Sequence, residues 1–480
     1  MGESGTRRSL IGSMPLLGRL HEFLWGLTAD WVTLVGLFLT LGLQFLPLRR
    51  LPWAFRQLWQ AICHRQAGAG EISSVAALMT SLGGTLGIGH LSGMAVALSV
   101  GGPGVVPWMW LFSLVGMATR FSETYLAVRF RQRDSRGAVV GGPMEAIRYG
   151  LGPRWDSLAV LFALLATLGV FGLGNGVQAQ QLALGLQQLS GLAPLPLGMA
   201  TAALIALVLR GGLVRISRVS MLLVPLMTLL YLLVVTLLVG RHAALLPGAL
   251  TQMLTEAFRP EALVGGTLAL MLRTAVRTVV FANEAGLGTT PIAHAPASPA
   301  DPLRQGAVAM LGNLVSMVVC TATGLLLLIS GVLDASGRLP YFLDSDPSGL
   351  RLLRQAFDWA LPGSAWIASL CLVLFGFTTL VSFGYYGERC ITFLSGPRGR
   401  IPFQLAWISV VVLASSQALQ GLWALANTLD ALMVLPNLLA LLLLSGTVFQ
   451  ALAGGRSADG GGRGADGGGL SAAGGSRADS

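Results

Sequence analysis

Residues 81–110 read SLGGTLGIGHLSGMAVALSVGGPGVVPWMW, and the interpretation of this stretch decides the fold. It is mostly apolar, yet glycines at 83, 84, 87, 89 and 93 interrupt it, with Thr85, His90 and Ser92 between them. Each glycine in a helix interior costs roughly 1 kcal/mol relative to alanine, and a lipid-facing span cannot leave freed backbone groups unpaired. Glycines beside small polar residues therefore point to a spanning helix broken near mid-membrane, which presents backbone N–H and C=O groups to a substrate or ion. The competing reading is close helix packing through small residues. The rest of the chain decides between them.

Of the 480 residues, 54% are hydrophobic and 11% charged, whereas soluble domains carry about 25% charged residues. The chain is thus expected to be solvated by lipid over most of its length. All 31 basic residues are arginine and the formal net charge is +10. In a membrane protein this excess sets topology and meets anionic headgroups. No basic run is interleaved with aromatics, so no nucleic-acid partner is expected. Cys63, Cys320, Cys371 and Cys390 are scattered without metal or disulfide spacing and read as small buried hydrophobes. No cleavable signal is expected, because Arg7 and Arg8 precede only a short charged stretch with His21, Glu22 and Trp25. Residues 1–30 read as an amphipathic N-terminal segment, in which Leu16–Leu27 lies as a helix on the membrane surface.

Apolar stretches approaching the length that crosses about 30 Å of hydrocarbon occur near 31–48, 74–100, 105–130, 158–186, 195–209, 221–239, 262–282, 305–332, 364–394, 402–418 and 429–452. The expectation is an all-α integral membrane protein with about eleven transmembrane helices in a domain over 31–453. Arginine-rich loops follow spans one, three, five and nine, and Asp334, Asp344 and Asp346 cluster after span eight. The positive-inside rule then puts the N-terminus outside and the C-terminus in the cytoplasm, in a plasma (cell inner) membrane. Residues 454–480 are low in complexity and are expected to be a disordered tail. No Walker loop, HExxH or GxSxG is present, which argues against an ATP-driven pump unless partner subunits supply the motor, and no catalytic pairing appears in the spans, so no enzyme is expected.

A series of motifs now carries a resemblance. GIGHLSGMA at 87–95, GGPGVVPWMWLFSLVGMATRFSET from 101, GGPMEAIRYGLG at 141–152 and GNGVQAQ at 174–180 come first. GGLVRISRVSMLLVPLM at 211–227, FANEAGLGTTPIAHAPA at 281–297, FGFTTLVSFGYYGER at 375–389 and LDALMVLPNLLALLLLS at 429–445 follow in order. From about 37 to 444 the chain resembles the alanine or glycine:cation symporter family, sodium:alanine symporter-like members of the amino acid-polyamine-cation superfamily. The resemblance implies a leucine-transporter-type fold: two five-helix inverted repeats, about 74–240 and 260–453, after one extra helix. It also implies Na⁺-coupled uptake of small neutral amino acids, chiefly alanine and glycine, with H⁺ as coupling ion in a minority.

A zwitterionic amino acid needs donors for its carboxylate, acceptors for its ammonium and an apolar pocket. Backbone N–H groups of Gly87, Ile88 and Gly89 are expected to hold the carboxylate beside the positive end of the second half-helix. Freed carbonyls suit Na⁺, a hard cation, and Thr85 and Ser92 are candidates to add hydroxyls; the competing role is a bond to the preceding turn. Asn175 and Gln178 are amides about one turn apart and are read as sharing a face; the resemblance places them at the substrate pocket, against interhelical bonding as the alternative. By resemblance, Thr378 and Thr379 sit where hydroxyl ligands for Na⁺ occur. Phe281 is a candidate to close the pocket. Asn283 and Glu284, at the cytoplasmic end of span seven, are assigned gate or structural roles, and His294 a polar loop role. Glu123 follows Arg120 by three residues, a spacing that allows a local ion pair.

Several positions depart from the family pattern. His90 stands inside the break where the family usually has Asn, Ala76 where Gln is frequent and Glu145 where an aromatic is usual. An imidazole titrates near neutral pH, so His90 is a candidate for proton sensitivity at the substrate or ion site. The expected partners are a small amino acid, Na⁺ or H⁺, and the lipid bilayer, with no other cofactor. A proton-coupled or divergent small-solute transporter is the first rival reading. A non-transporting membrane sensor or interaction protein is the second.

Overall fold

A chain immersed in lipid must pair its backbone N–H and C=O groups internally, and helices dominate the structure. The computed structural model describes residues 15–63, 70–258, 267–332, 349–416 and 420–460. The α-helices of five or more described residues are α1 Pro15–Gly42, α2 Leu51–Cys63, α3 Ser74–Thr85, α4 Ser92–Gly101, α5 Val105–Arg129 and α6 Asp156–Gly169. They continue as α7 Val177–Ser190, α8 Pro194–Arg210, α9 Gly212–Arg241, α10 Leu246–Ala257, α11 Thr267–Asn283 and α12 Thr290–His294. The last are α13 Pro302–Ile329, α14 Leu350–Ala360, α15 Ala365–Ser395, α16 Arg400–Ser415 and α17 Gln420–Gly460. Strands β1 Ile72–Ser73, β2 Gln132–Arg133, β3 Val139–Val140 and β4 Ala297–Ser298 form two short ribbons, β1 parallel to β4 and β2 antiparallel to β3.

Local chemistry sets several of the boundaries. Ser73 accepts the Ala76 N–H at 3.1 Å and starts α3. Asp301 accepts the N–H groups of Leu303 and Arg304 and starts α13, with Pro302 at the first helical position. The surroundings of the bundle are legible in α9. Leu222, Leu226, Leu229, Leu233 and Leu237 are exposed at three- and four-residue intervals, while Val224, Met227, Tyr231, Val235 and Leu238 are buried. A helix apolar on both faces, one of them uncovered, belongs in a membrane.

Among the described residues, six stretches are long and apolar enough to cross a membrane, or seven if the bent pair α4–α5 counts as one. This is fewer than eleven for identifiable reasons. One stretch, Ala365–Ser415, contains both α15 and α16. α8 is short, α3 and α4 are half-length, and α11 carries Arg273 and Arg277. The N-terminal reading is corrected: Leu16–Leu27 is no separate surface helix but part of continuous α1. There Trp25 is buried against Phe281, with ring centroids 4.6 Å apart, and the Thr28 hydroxyl donates to the Ala431 carbonyl at 3.2 Å. Residues 454–460 continue α17, while the rest of the expected tail and the aspartate-bearing loop lie outside the described residues.

Helices distant in sequence pack along one another: α5 on α13, α7 on α15, α8 on α16 and α6 on α17. Two chain segments are interrupted at the centre of this bundle. One is α3–α4, broken by an extended Gly87 and a single tight turn over Ile88–His90. The other is α11–α12, unwound where Glu284, Gly286 and Gly288 take φ of 52°, 93° and 79°. α3 packs on α12 and α4 on α11, and β1 pairs with β4 where α3 begins and α12 has ended. The second interruption was not expected from the sequence, which placed Asn283 and Glu284 at the end of a span and His294 in a loop. Instead all three are buried within the bundle, and Gln305 Nε2 lies 2.7 Å from His294 Nδ1.

Candidate functional site

The break in α3–α4 is held open by side chains from two other helices. The Ile88 N–H donates to Gln178 Oε1 of α7 at 3.3 Å. The Thr379 hydroxyl of α15 lies 3.2 and 3.3 Å from the carbonyls of Gly83 and Gly84, in the last turn of α3. Gly87 lies between them. A Cβ there would be 2.9 Å from Thr379 Oγ1 and 3.1 Å from Gln178 Nε2, so the close approach of three helices requires glycine. Gly89 is partly exposed, and a Cβ there would meet nothing within 4 Å. Among the described residues, then, open space adjoins the break. Leu350 of α14 and Leu372 of α15 pack with Ile88 and give this region an apolar side.

The carbonyl ends of α3 form the second feature. Ser382 of α15 donates to the Thr80 carbonyl at 3.0 Å, one turn before the Thr379 contacts. Hydroxyls of Thr379 and Ser382 thus face carbonyls of Thr80, Gly83 and Gly84, an all-oxygen set suited to a hard monovalent cation. No cluster of three or more His, Cys, Asp or Glu able to hold a metal occurs among the described residues. The donor set fits Na⁺ rather than a transition metal.

The expected site residues divide. Gly87, Ile88, Gly89, Gln178 and Thr379 come together. Both threonine hydroxyls lie 3.0 Å from the Phe375 carbonyl of their own helix, and what separates them is the second contact: Thr378 meets Met227 Sδ of α9 at 3.5 Å, whereas Thr379 meets the α3 carbonyls. Asn175 also separates from Gln178. It lies in a π-helical turn, Gly172–Gly176, and donates to the Trp407 carbonyl of α16 at 2.9 Å. The wider turn changes the angle between the two residues, so the shared face is not realised and Asn175 has the interhelical role. Phe281 is not among the residues brought together here; it packs on Trp25 with the rings tilted by 35° and lies beneath the Arg277 guanidinium. Thr85 and Ser92 donate to the carbonyls of Ser81 and Ile88, four residues back, the alternative role for each.

His90 is buried, with Nε2 2.6 Å from the Ser316 hydroxyl of α13. Ser316 itself donates to the Ala282 carbonyl at 3.1 Å, so its oxygen accepts from the imidazole Nε2–H. The ring therefore ties the break to α13 and α11. Arg120 and Glu123 do not pair with each other. Arg120 bonds the Asn283 carbonyl at 2.6 Å, and Glu123 accepts the Gly286 N–H at 3.1 Å. Glu284 accepts from the Thr289 hydroxyl at 2.6 Å.

Sequence reasoning missed Ser316, Ser382 and Asn437 as members of this centre. Nothing local distinguishes them from other small polar residues of spans. Arg120 was named only as a neighbour of Glu123, although an ionisable residue inside a span is itself a functional signal.

Comparison with known proteins agrees with this architecture. Residues 13–458 match the sodium:alanine symporter family. An uncharacterized transporter of Haemophilus influenzae is 36% identical over 438 residues, covering 89% of this chain and 92% of that one. The sodium/alanine symporter AgcS of Methanococcus maripaludis is 35% identical over 440 residues, covering 91% and 95%. The probable sodium/glutamine symporter GlnT of Bacillus subtilis is 32% identical over 445 residues, covering 91% and 89%. In fold the chain is similar to MhsT in complex with L-phenylalanine, with a TM-score of 0.52 at 14% identity over 80% of this chain and 98% of that one. It is likewise similar to a manganese transporter of Eremococcus coleocola, with a TM-score of 0.53 at 14% identity over 77% and 78%. With its apolar helices, its two interrupted segments and a family match over nearly its whole length, the chain is a membrane transporter rather than an enzyme and belongs to the sodium:alanine symporter family.

Proposed function

We propose that the protein is a secondary transporter that moves a small neutral amino acid, alanine or glycine, into the cell with Na⁺. The observation that carries this reading is the α3–α4 break, where Gly87, Ile88, Gln178 and Thr379 converge beside the space at Gly89. The amino-acid carboxylate binds the N–H groups at the start of α4, whose N-cap residue Leu91 supplies no side-chain acceptor. Gln178 Oε1 is the acceptor for the ammonium, and Ile88 and Leu350 border a pocket for a small side chain. The side chains that contact Gly87 and Ile88, Gln178 and Thr379, are neutral, and the charged Arg120 at the end of α3 is taken up by Ser81, Thr85 and the Asn283 carbonyl, which supports a substrate without net charge. Na⁺ sits between the α3 carbonyls and Thr379, where its occupancy and the geometry of the break are linked.

The eleven-span, five-plus-five reading belongs to the same proposal. The pairing of α5 with α13, α7 with α15 and α8 with α16 matches each helix with the one at the same place in the other repeat, and α3–α4 with α11–α12 supply the two interrupted helices. The arginine-bearing loops face the cytoplasm, with the N-terminus outside. The test is uptake of labelled alanine and glycine into proteoliposomes with and without a Na⁺ gradient. Accumulation that requires the gradient is expected; uptake indifferent to Na⁺ overturns the coupling, and no uptake of either overturns the substrate.

A further inference from the structure

The two interruptions are chemically unlike. At α3–α4 the side chains that meet Gly87 and Ile88 are the neutral Gln178 and Thr379, and the described residues leave a space at Gly89. At α11–α12 it fills the interruption with its own charged groups. Arg120, fully buried on α5, donates through Nη1 to the Asn283 carbonyl at 2.6 Å, at the C-terminal end of α11 where the helix dipole is negative. One turn further on, Glu123 Oε1 accepts the Gly286 N–H at 3.1 Å. Asn437 of α17 donates to Glu123 Oε1 at 2.6 Å and to the Gly286 carbonyl at 2.8 Å. Gly286 is thus held at both its N–H and its C=O. Arg120 also reaches the other discontinuous helix, where Nη2 donates to the hydroxyls of Ser81 and Thr85 on α3, the latter at 3.3 Å.

We propose that Arg120 is a positioning residue for transport, whose guanidinium ties the unwound end of α11 to the last turns of α3 so that the two discontinuous helices move together. Glu123 and Asn437 fix the interruption that Arg120 grips. This rests on the reading of the chain as a Na⁺-coupled amino-acid transporter. The chemistry of arginine matches the task, because a planar fork spans one carbonyl and two hydroxyls where a lysine ammonium is a single point of contact. A buried charge is also a poor choice for packing alone, since apolar replacements of buried ionic groups are often neutral or stabilising. Among the described residues Arg120 forms no salt bridge, and Glu123 and Glu284 accept instead from the Gly286 N–H and the Thr289 hydroxyl.

The test cuts the link on one side only. In the full-length protein, the double variant Ser81→Ala, Thr85→Val removes the acceptors on α3 and leaves the Arg120–Asn283 bond in place. Its maximal rate of Na⁺-driven alanine uptake should fall about tenfold, inside the range of typical coupling free energies, with the half-saturating alanine concentration within about twofold of wild type. Arg120→Lys should recover part of the rate that Arg120→Gln loses. A second readout needs no transport. With the native cysteines replaced, Ser298→Cys on β4 reports separation of β4 from β1, which leads into α3. Its maleimide labelling in detergent should rise about fivefold in the double variant if the link restrains both helices. Unchanged labelling overturns the proposal whatever the uptake, and so does a lost rate accompanied by a much raised half-saturating concentration, because Ser81 and Thr85 would then act in the substrate site. A wild type without Na⁺-driven alanine uptake defeats the Na⁺:alanine reading, and the labelling result still decides for or against Arg120.

Discussion

Gln178 Oε1 accepts the backbone N–H of Ile88 at 3.3 Å, across 90 residues of sequence, and joins α7 to the break in α3–α4. A side-chain amide that meets a backbone donor at an interrupted helix both satisfies the freed group and marks where an incoming ligand competes for the same atoms.

Replacement of Gln178 by Ala should therefore raise the half-saturating substrate concentration about five- to tenfold, as one hydrogen bond of about 1 kcal/mol is lost. Maximal rate should change less. Uptake kinetics in proteoliposomes check this, and an unchanged half-saturating concentration removes Gln178 from the site.

Gly87 and Gly89 should respond differently to the same change. A Cβ on Gly87 would press on Thr379 Oγ1 at 2.9 Å and on the Gln178 amide, so Gly87→Ala should abolish uptake while the protein still inserts and elutes as a single species. A Cβ on Gly89 meets none of the described residues within 4 Å, so Gly89→Ala should fold normally and weaken substrate binding by occupying the open space. Equal tolerance of both alanines would contradict the position assigned to the pocket.

The two adjacent threonines of α15 should separate in Na⁺ dependence. Thr379 faces the carbonyls of Gly83 and Gly84, whereas Thr378 faces Met227. Thr379→Ala should raise the Na⁺ concentration for half-maximal uptake about tenfold, and Thr378→Val should leave it within about twofold, given a charge-assisted contact of about 1.5–3 kcal/mol. The reverse order would place the cation on the other face of α15.

His90 is expected to be structural, because its Nε2–H is committed to Ser316 and Ser316 to the Ala282 carbonyl. Across roughly pH 5.5 to 8, the range bracketing histidine titration, wild type and His90→Asn should show parallel pH profiles and the same Na⁺ dependence. Ser316→Ala should lower thermal stability as His90→Asn does, since each removes the same bond. Loss of an acid sensitivity in His90→Asn alone would instead make His90 a determinant of ion use.

Sequence alone determined the membrane character, most helix positions and the break at Gly87–His90, because each rests on local energetics. Apolar length sets a span, and clustered glycines lower the cost of interrupting one. What only the tertiary structure decided is which polar side chain meets which partner. A π turn at Gly172–Gly176 sends Asn175 to Trp407 and leaves Gln178 at the break, and a neighbour's rotation selects Thr379 over Thr378. Phe281 was drawn to Trp25 by a helix that the sequence laid on the membrane surface. The α11–α12 interruption begins at Asn283 and at Glu284, a non-glycine residue with φ of 52°, held by Arg120 from 163 residues away and, at Gly286, by Asn437 from 151 residues away. Buried polar groups must find partners, but the partner's identity is a property of packing, and no local pattern encodes a bond that spans a third of the chain.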